Sequence, residues 1–227
     1  MSRVLPILFN TEMVQAILEG RKTVTRRPIK NLDIEEHNGI ITLYEKHEDD
    51  AFCVSSIEDA EKEMPLYSRY RPGDILYVRE TWNYVYDMDA RDQIVEGTGR
   101  YVYYADDTMP FSDWVDTDTG EHKDRMPWRP SIHMPKEAAR IWLKVTDVQP
   151  QRLQNMTLDD FLKEGIILLP EAFNDPENAY MQAWSAFIRL WNSTIPKRQQ
   201  DIYSWAANPW VWVIEFERCE KPEVENA

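Results

Sequence analysis

The chain has 227 residues and a mass of 26.9 kDa, with 26 basic and 40 acidic residues and a formal net charge of −14. This length suits one enlarged domain or two small ones, and the acidic balance argues against a protein that holds long duplexes through phosphate contacts alone. Seven glycines, with neither GxGxxG nor GxxxxGK[ST] among them, make a glycine-rich phosphate loop unexpected.

The first part of the chain predicts a strand, a helix and a basic segment. Residues 4–9 have the composition of a strand, and Asn10 or Thr11 can cap the helix that follows, which Gly20 ends. Residues 21–30 then contain five basic residues and no acidic one. This segment is the sharpest local inversion of charge in an acidic chain.

The middle of the chain predicts few regular elements. Residues 31–70 are mostly polar and acidic, so we expect an insertion of low regularity with one possible strand at 40–44. A turn at 71–74 leads into a buried strand over 75–82. We expect a short strand at 101–104, with loops at 83–100 before it and at 105–130 after it. The segment at 128–135 is expected to be extended.

The last part predicts two helices between two strands. Alternation over 141–146 indicates a half-buried strand, and Thr157 with Asp160 predicts a capped helix that ends at Gly165. Apolar spacing predicts a helix over 178–192, and a strand over 209–218 carries Trp210 and Trp212, both expected in the core. Strands separated by loops and a few helices favour an α+β fold, a small mixed barrel with helices outside.

The composition also predicts the compartment and the absence of cofactors. Cys53 and Cys219 lie far apart and outside any CxxC motif, as expected in a reducing cytoplasm. The four histidines show no metal-ligand spacing, so no metal or other cofactor is expected. The N-terminal residues lack the apolar core of a signal peptide, and the longest strongly apolar run, 209–216, is too short to span a bilayer. We therefore expect a cytoplasmic protein that has no membrane partner.

The basic segment contains a possible nucleophile with its base. A threonine hydroxyl needs a base to become a nucleophile, and a lysine can be that base when burial or neighbouring cations lower its pKa. Lys22 and Thr25 fit these roles, with Arg26 able to hold an oxyanion or a phosphate. The alternative is structural, because basic residues beyond a helix end satisfy its terminal carbonyls.

Glu164 and a polar set after the strand at 75–82 are further candidates. Glu164 falls at a helix C-terminus, where a partner such as Lys22 would offset the unfavourable dipole; the alternative is a solvated surface glutamate. Arg79 and Glu80 could form a structural ion pair or line the mouth of the barrel, where Trp82 could stack on a base. Other residues could line the same mouth: Tyr104, Trp128, Arg129, Ser131 and His133.

Four blocks of sequence, in this order, resemble a known family. Residues 9–30, FNTEMVQAILEGRKTVTRRPIK, resemble the opening G-R-K-T-x-T-x-R motif of the ASCH-domain family. The blocks PGDILYVRETW, ARIWLKVTDVQPQRLQNMTLDDFLKEGI and PWVWVIEFERCE resemble its later motifs, and together the four cover roughly a third of the chain. The whole chain is similar to the enlarged ASCH proteins of tailed phages and prophages.

The resemblance implies a PUA-like β-barrel, formed as one domain over residues 1–218 with a flexible acidic tail at 219–227. It places insertions at about 31–70, 83–130 and 166–205. One branch of the family removes the acyl group from N4-acetylcytidine with a Lys-Thr-Glu triad and no cofactor. Matched motif by motif, the resemblance implies Lys22, Thr25 and Glu164 as catalytic residues.

These considerations predict a hydrolase that acts on an N-acylated nucleoside or base. Its ligand is expected to be a nucleoside or single-stranded RNA in the cytoplasm, which is the host cytoplasm if a phage encodes the protein. The predicted substrate-binding residues are Arg26, Arg79, Glu80, Trp82, Tyr104, Arg129 and Ser131. Two alternatives stay open: a non-catalytic module that binds RNA or a modified base, and a metal-independent ribonuclease.

Overall fold

A computed structural model describes residues 2–37, 40–45, 51–54, 64–91, 93–106, 114–115, 119–123 and 126–222. These residues mix strands with four α-helices, which confirms the predicted α+β class. The helices are α1 Thr11–Leu18, α2 Leu158–Lys163, α3 Pro176–Thr194 and α4 Gln200–Tyr203. The strands are β1 Val4–Leu8, β2 Val24–Pro28, β3 Leu32–His37, β4 Ile40–Glu45, β5 Ala51–Val54, β6 Ile75–Arg79, β7 Trp82–Val85, β8 Arg100–Tyr103, β9 Trp114–Val115, β10 His122–Lys123, β11 Trp142–Arg152 and β12 Trp210–Cys219.

The largest sheet has five strands in the order β1-β6-β11-β12-β2. β1 runs parallel to β6, and β12 runs antiparallel to β2 with Val213 opposite Arg26 and Ile214 opposite Thr25. A three-stranded antiparallel sheet has the order β3-β4-β5, and β7–β8 and β9–β10 are two-stranded pairs. The chain divides into two compact units, which are described separately.

The first unit comprises Met1–Arg3, Gly20–Asp74 and Lys144–Arg218. Its core lies where α2 and α3 pack against the end of β11 and the start of β12, around Phe161, Phe187 and Trp191. Thr157 caps α2 in a complete capping box with Asp160, as the sequence predicts. This box fixes the start of a helix of only six residues, too short to be stable on its own.

The second unit comprises Val4–Glu19, Ile75–Leu143 and Cys219–Ala227. The Asn10 side chain accepts a hydrogen bond from the Met13 N–H and so caps α1, as predicted. Its core surrounds Met134 and Trp142, and the β7–β8 hairpin covers that core with cross-strand aromatic pairs. A two-stranded hairpin is marginal alone, so these ring contacts supply much of its stability.

The prediction of low regularity over 31–70 is wrong, because β3, β4 and β5 form a sheet there, but the strand expected at 40–44 is present as β4. Acidic residues at alternate positions obscured a strand pattern such as Leu32-Asp33-Ile34. Residues 38–39, 46–50 and 55–63 of this segment lie outside the described ranges. The loop prediction for 83–100 is wrong at its two ends, where residues 83–85 belong to β7 and Arg100 belongs to β8.

Two further boundaries and one burial differ from the prediction. The strand expected over 75–82 ends at Arg79, and Trp82 begins β7. The strand expected over 141–146 continues to Arg152. Trp212 is buried, but Trp210, the first residue of β12, is only half-buried. Of the predicted tail, residues 223–227 lie outside the described ranges.

Candidate active site

Residues 21–23 of the first unit cross the C-terminal end of α2 and satisfy its carbonyls in order. The Thr23 N–H donates to the Lys163 carbonyl at 2.9 Å. Lys22 Nζ donates to the Glu164 carbonyl at 3.0 Å, and Arg21 Nη1 donates to the Gly165 carbonyl at 2.6 Å. The structural alternative is therefore partly right: these basic residues do cap a helix, although it is a helix more than 130 residues further along the chain.

The Glu164 carboxylate is buried and doubly paired, so the alternative of a solvated surface glutamate is wrong. Its Oε2 accepts a hydrogen bond from Lys22 Nζ at 2.5 Å, and its Oε1 accepts one from Arg26 Nη1 at 3.2 Å. The side chains of Lys22 and Arg26 are 0% exposed, and that of Glu164 is 3% exposed. The predicted partnership of Glu164 with Lys22 is thus present in the structure.

Arg26 links this pair to α2 and β11. Its Nη2 donates to Asp160 Oδ1 at 2.6 Å and to Gln151 Oε1 at 3.1 Å. Burial alone would raise the pKa of Asp160, but hydrogen bonds from Thr157 and the Arg26 charge bring that pKa below the usual aspartate value. Among the described residues, Arg26 Nε is buried and has no hydrogen-bond partner, so the site holds one N–H donor for a ligand or a water molecule.

The Lys22 cluster contains several buried charges. Lys22 and Arg26 are cations, Glu164 and Asp160 are the carboxylates that pair with them, and the half-buried Arg27 is a further cation close enough to act on Lys22. A buried charge needs compensation, and these carboxylates supply it for Lys22 and Arg26. Burial lowers the pKa of the Lys22 ammonium; Glu164 opposes this shift, and Arg27 and Arg26 reinforce it. Lys22 is therefore the cation that gives up its proton most easily.

Thr25 lies in the middle of β2 and is buried opposite Ile214. Because successive side chains of a strand point to opposite faces, Thr25 and Arg27 share one face of β2, while Arg26 points to the other. The residues that the structure describes form no hydrogen bond with the Thr25 hydroxyl. Arg27 belongs to the basic segment at 21–30, whose cations were expected to lower the pKa of Lys22, and its i, i+2 spacing from Thr25 places the two on one face.

The polar candidates of the second unit form a different ion-pair network from the one predicted. Arg79 does not pair with Glu80; its Nε donates to the Met134 carbonyl at 2.8 Å. Glu80 is held at both oxygens by Arg140, with Nε–Oε1 at 2.9 Å and Nη2–Oε2 at 3.0 Å. Burial raises the pKa of Glu80, and the Arg140 charge opposes that shift. The partner of Glu80 lies 60 residues away in the chain, so local sequence patterns could not predict this ion pair.

The aromatic candidates of the second unit lie together on one side of the β7–β8 hairpin. The Arg129 guanidinium sits 5.3 Å from the ring centre of Trp82, and these two residues also pair through their backbones. Tyr104 is 51% exposed and meets Trp128 edge to face at 5.3 Å. Ser131 begins a short 3₁₀ turn nearby in the chain. Trp82 is buried in the core of the second unit, with 5% of its surface exposed, so its ring has little face open for a base to stack on.

Within the described parts of the chain, no group of three or more His, Cys, Asp or Glu side chains is arranged to hold a metal ion. No helix in those parts is both long enough and apolar enough to cross a membrane. Comparisons with protein-family models, with curated proteins and with solved structures found no match to this chain.

Proposed function

We propose that this protein is a hydrolase of the ASCH family, with a PUA-like barrel, that removes the acyl group from an N-acylated nucleoside or base such as N4-acetylcytidine. Lys22 is the base, Thr25 the nucleophile and Glu164 the acid. The carrying observation is the buried hydrogen bond between Lys22 Nζ and the Glu164 carboxylate. For such a substrate we expect a cytoplasmic enzyme.

The environment of Lys22 supports this residue as a general base. A lysine at its ordinary pKa of about 10.4 is almost fully protonated at neutral pH and cannot accept a proton. Desolvation, reinforced by the neighbouring guanidinium groups, lowers the pKa of Lys22. Lys22 Nζ and Glu164 Oε2 lie 2.5 Å apart, so a proton can pass between them.

Acylation starts from the state in which that proton lies on Glu164 and Lys22 is neutral. Lys22 Nζ accepts the hydroxyl proton of Thr25 while Oγ1 attacks the amide carbonyl carbon, and the carbonyl electron pair moves to oxygen. The carbonyl then re-forms, the C–N bond breaks, and the leaving exocyclic nitrogen takes the proton of Glu164. The proposal requires Nζ and Oγ1 to reach hydrogen-bond distance in the substrate complex, where catalytic hydrogen bonds tighten.

Deacylation uses the same pair in the same order. Lys22 returns its proton to Glu164, then accepts a proton from a water molecule whose oxygen attacks the acyl ester. When the tetrahedral intermediate collapses, Glu164 protonates Thr25 Oγ1, and the free acid leaves. The pair ends with the single proton with which it began, so the net reaction is amide plus water to amine plus acid.

The cations of the site also suit the transition state. Each time Lys22 becomes an ammonium, a negative oxygen forms on the substrate, and this oxygen is a new counter-charge for the cations nearby. Stabilisation that appears in the transition state and not in the ground state accelerates the reaction. Arg27, on the same face of β2 as Thr25, is the guanidinium that we expect to bind this oxygen.

The test is turnover of N4-acetylcytidine by the purified protein, with cytidine and acetate quantified by chromatography. We expect Thr25→Ala to lose activity by about 10³-fold or more, as removal of a nucleophile does, and Thr25→Ser to retain part of it. Thr23→Ala is the matched control, because Thr23 is exposed and lies two residues away.

Equal turnover by wild type and Thr25→Ala contradicts the nucleophile assignment. Binding of N4-acetylcytidine with no release of acetate contradicts the enzyme altogether, and it supports a non-catalytic module for a modified base.

A further inference from the structure

A strip of large apolar side chains is exposed on the first unit, just beyond the end of α2. Ile167 is 68% exposed, Leu169 67% and Phe173 56%. A single exposed apolar residue is common on a soluble protein. Several large ones close together are a sign of an interaction site.

The packing of the chain after α2 turns the first two of these side chains outward. Residues 166–169 have no helical structure, and Ile166 and Leu168 pack against the core of the first unit. Because successive side chains of an extended segment point to opposite faces, Ile167 and Leu169 face away from that core. A segment that met only water on its outer face would need apolar residues at 166 and 168 alone.

Phe173 continues the strip through a 3₁₀ turn. The turn spans Pro170–Asn174, and the N–H of its buried Ala172 donates to the Leu169 carbonyl at 2.9 Å. Two residues of an extended segment cover about 7 Å and a 3₁₀ turn rises by about 2 Å per residue, so the three side chains lie within about 15 Å of one another. An α-helix covers about 10 Å between residues i and i+7, so the strip is long enough for two turns of a bound helix.

The charges around the strip are all negative. Residues 164–188 contain four acidic residues and no basic residue. Glu164 is buried in the candidate active site, whereas Glu171 in the 3₁₀ turn and Asp175 and Glu177 at the start of α3 are exposed.

The 3₁₀ turn packs against α3, which adds a fourth apolar side chain. Met181 lies one helical turn after Glu177, on the same face of α3, and is 50% exposed. We call the surface formed by Ile167, Leu169, Glu171, Phe173, Glu177 and Met181 the acidic apolar patch.

The acidic apolar patch lies outside the blocks that carry the resemblance to the ASCH family. It falls within the insertion expected at 166–205. The resemblance therefore assigns the patch no role, and the hydrolase proposed above uses none of its residues.

We propose that the acidic apolar patch docks a basic amphipathic helix of another protein. The apolar face of such a helix covers Ile167, Leu169 and Phe173, and the Lys and Arg side chains beside that face meet Glu171 and Glu177. Met181 supplies a flexible side chain that adapts to the shape of the apolar face.

The charge of the whole chain favours this partner. A net charge of −14 attracts a basic helix and speeds its encounter with the patch. The same charge repels a second copy of the chain, a nucleic acid and an anionic membrane. The proposal does not depend on hydrolysis at Lys22.

The experiment measures the binding of a fluorescein-labelled leucine–lysine peptide by fluorescence anisotropy at 50 and 300 mM KCl. The peptide has 14 residues, ordered so that the leucines fall on one face of a helix. The test variant is Ile167→Ser with Phe173→Ser. The matched control is Leu66→Ser with Ile202→Ser, because these side chains are 68% and 60% exposed in the same unit.

We expect the test variant to bind the peptide at least about tenfold more weakly at both salt concentrations, as loss of apolar anchors does, and the control to bind like wild type. Glu171→Gln with Glu177→Gln should weaken binding at 50 mM KCl and much less at 300 mM, because salt screens ionic contacts. This pair leaves the apolar strip intact, so it tests the proposal even if the serine variant fails to fold. Its matched control is Asp201→Asn with Glu215→Gln, both exposed.

Several results would overturn the proposal. Wild type would fail to bind the peptide at 50 mM KCl, or would bind a scrambled peptide of the same composition equally well, which would indicate attraction by charge alone. Equal loss in a variant and its matched control would place the binding elsewhere. Sedimentation equilibrium of wild type at a mass above one chain, restored to one chain by Ile167→Ser with Phe173→Ser, would assign the patch to a second copy.

Discussion

At the scale of single residues, Lys22 is the most unusual group in the first unit. Its side chain is 0% exposed and hydrogen-bonds a carboxylate from another segment of the chain. Removing one member of a buried ion pair usually costs about 3–5 kcal/mol, because the other charge stays buried. The cost of replacing Lys22 should be smaller, because Arg26 also binds the Glu164 carboxylate. That carboxylate therefore keeps a cationic partner when Lys22 is replaced.

The lowered pKa of Lys22 predicts a dependence of stability on pH. Between this lowered pKa and the unfolded value of about 10.4, the unfolded chain binds the proton and the folded chain does not. Stability therefore rises with pH across that interval. We expect urea unfolding to show that wild type gains free energy of unfolding relative to Lys22→Met as pH rises from 8 to 10. A difference that stays constant or shrinks contradicts the lowered pKa.

At the scale of elements, the β7–β8 hairpin depends on close packing of aromatic rings against glycine. Tyr84 meets Tyr101 edge to face at 4.9 Å and Tyr86 at 5.3 Å. A Cβ atom on Gly99 would lie 2.3 Å from the Tyr84 hydroxyl oxygen. Moving the ring away would disturb these two contacts.

Gly99→Ala is therefore expected to destabilise the protein by about 1–3 kcal/mol, the usual cost of overpacking. The change in urea midpoint measures this effect. The double variant Gly99→Ala with Tyr84→Phe lacks the hydroxyl group and should recover part of the loss. No recovery would mean that the clash is not with that oxygen.

Local signals predicted those elements whose stabilising contacts are local. Asn10 and Thr157 cap helices where the sequence places them, because a cap acts within three residues. Of the sheet at 32–54, the sequence predicted only the strand at 40–44, because strand pairing joins separate segments and is not shown by local composition. The ion pairs show the same difference. The pairing of Glu164 with Lys22 could be predicted from the chemistry of a carboxylate at a helix C-terminus, but the pairing of Glu80 with Arg140 depends on tertiary structure.

At the scale of the whole molecule, the charge is distributed unevenly. Residues 21–30 hold five basic residues, and the rest of the chain has 21 basic against 40 acidic residues. Excess charge of one sign destabilises a compact state through self-repulsion. The interactions between exposed charges are screened by salt, whereas those of the buried Lys22–Glu164 pair are screened much less.

Added salt should therefore act in opposite directions on folding and on binding. We expect the urea midpoint to rise when KCl increases from 0.05 to 0.5 M, while affinity for the leucine–lysine peptide falls. NaCl should act like KCl, since the effect is screening and not ion binding. A midpoint that falls with both salts would mean that favourable surface ion pairs outweigh the repulsion.

The contact between residues 21–23 and the end of α2 also has a consequence for how the protein acquires activity. Lys22 and Glu164 are separated by 142 residues, and β12 adds a third segment, since the Phe216 N–H donates to the Thr23 carbonyl at 2.9 Å. During synthesis, an emerging Lys22 is an ordinary solvated ammonium for as long as neither later segment has been made. The proposed catalytic residues come together only after both later segments have been made, so a partly synthesised chain could not act on nucleic acid near the ribosome.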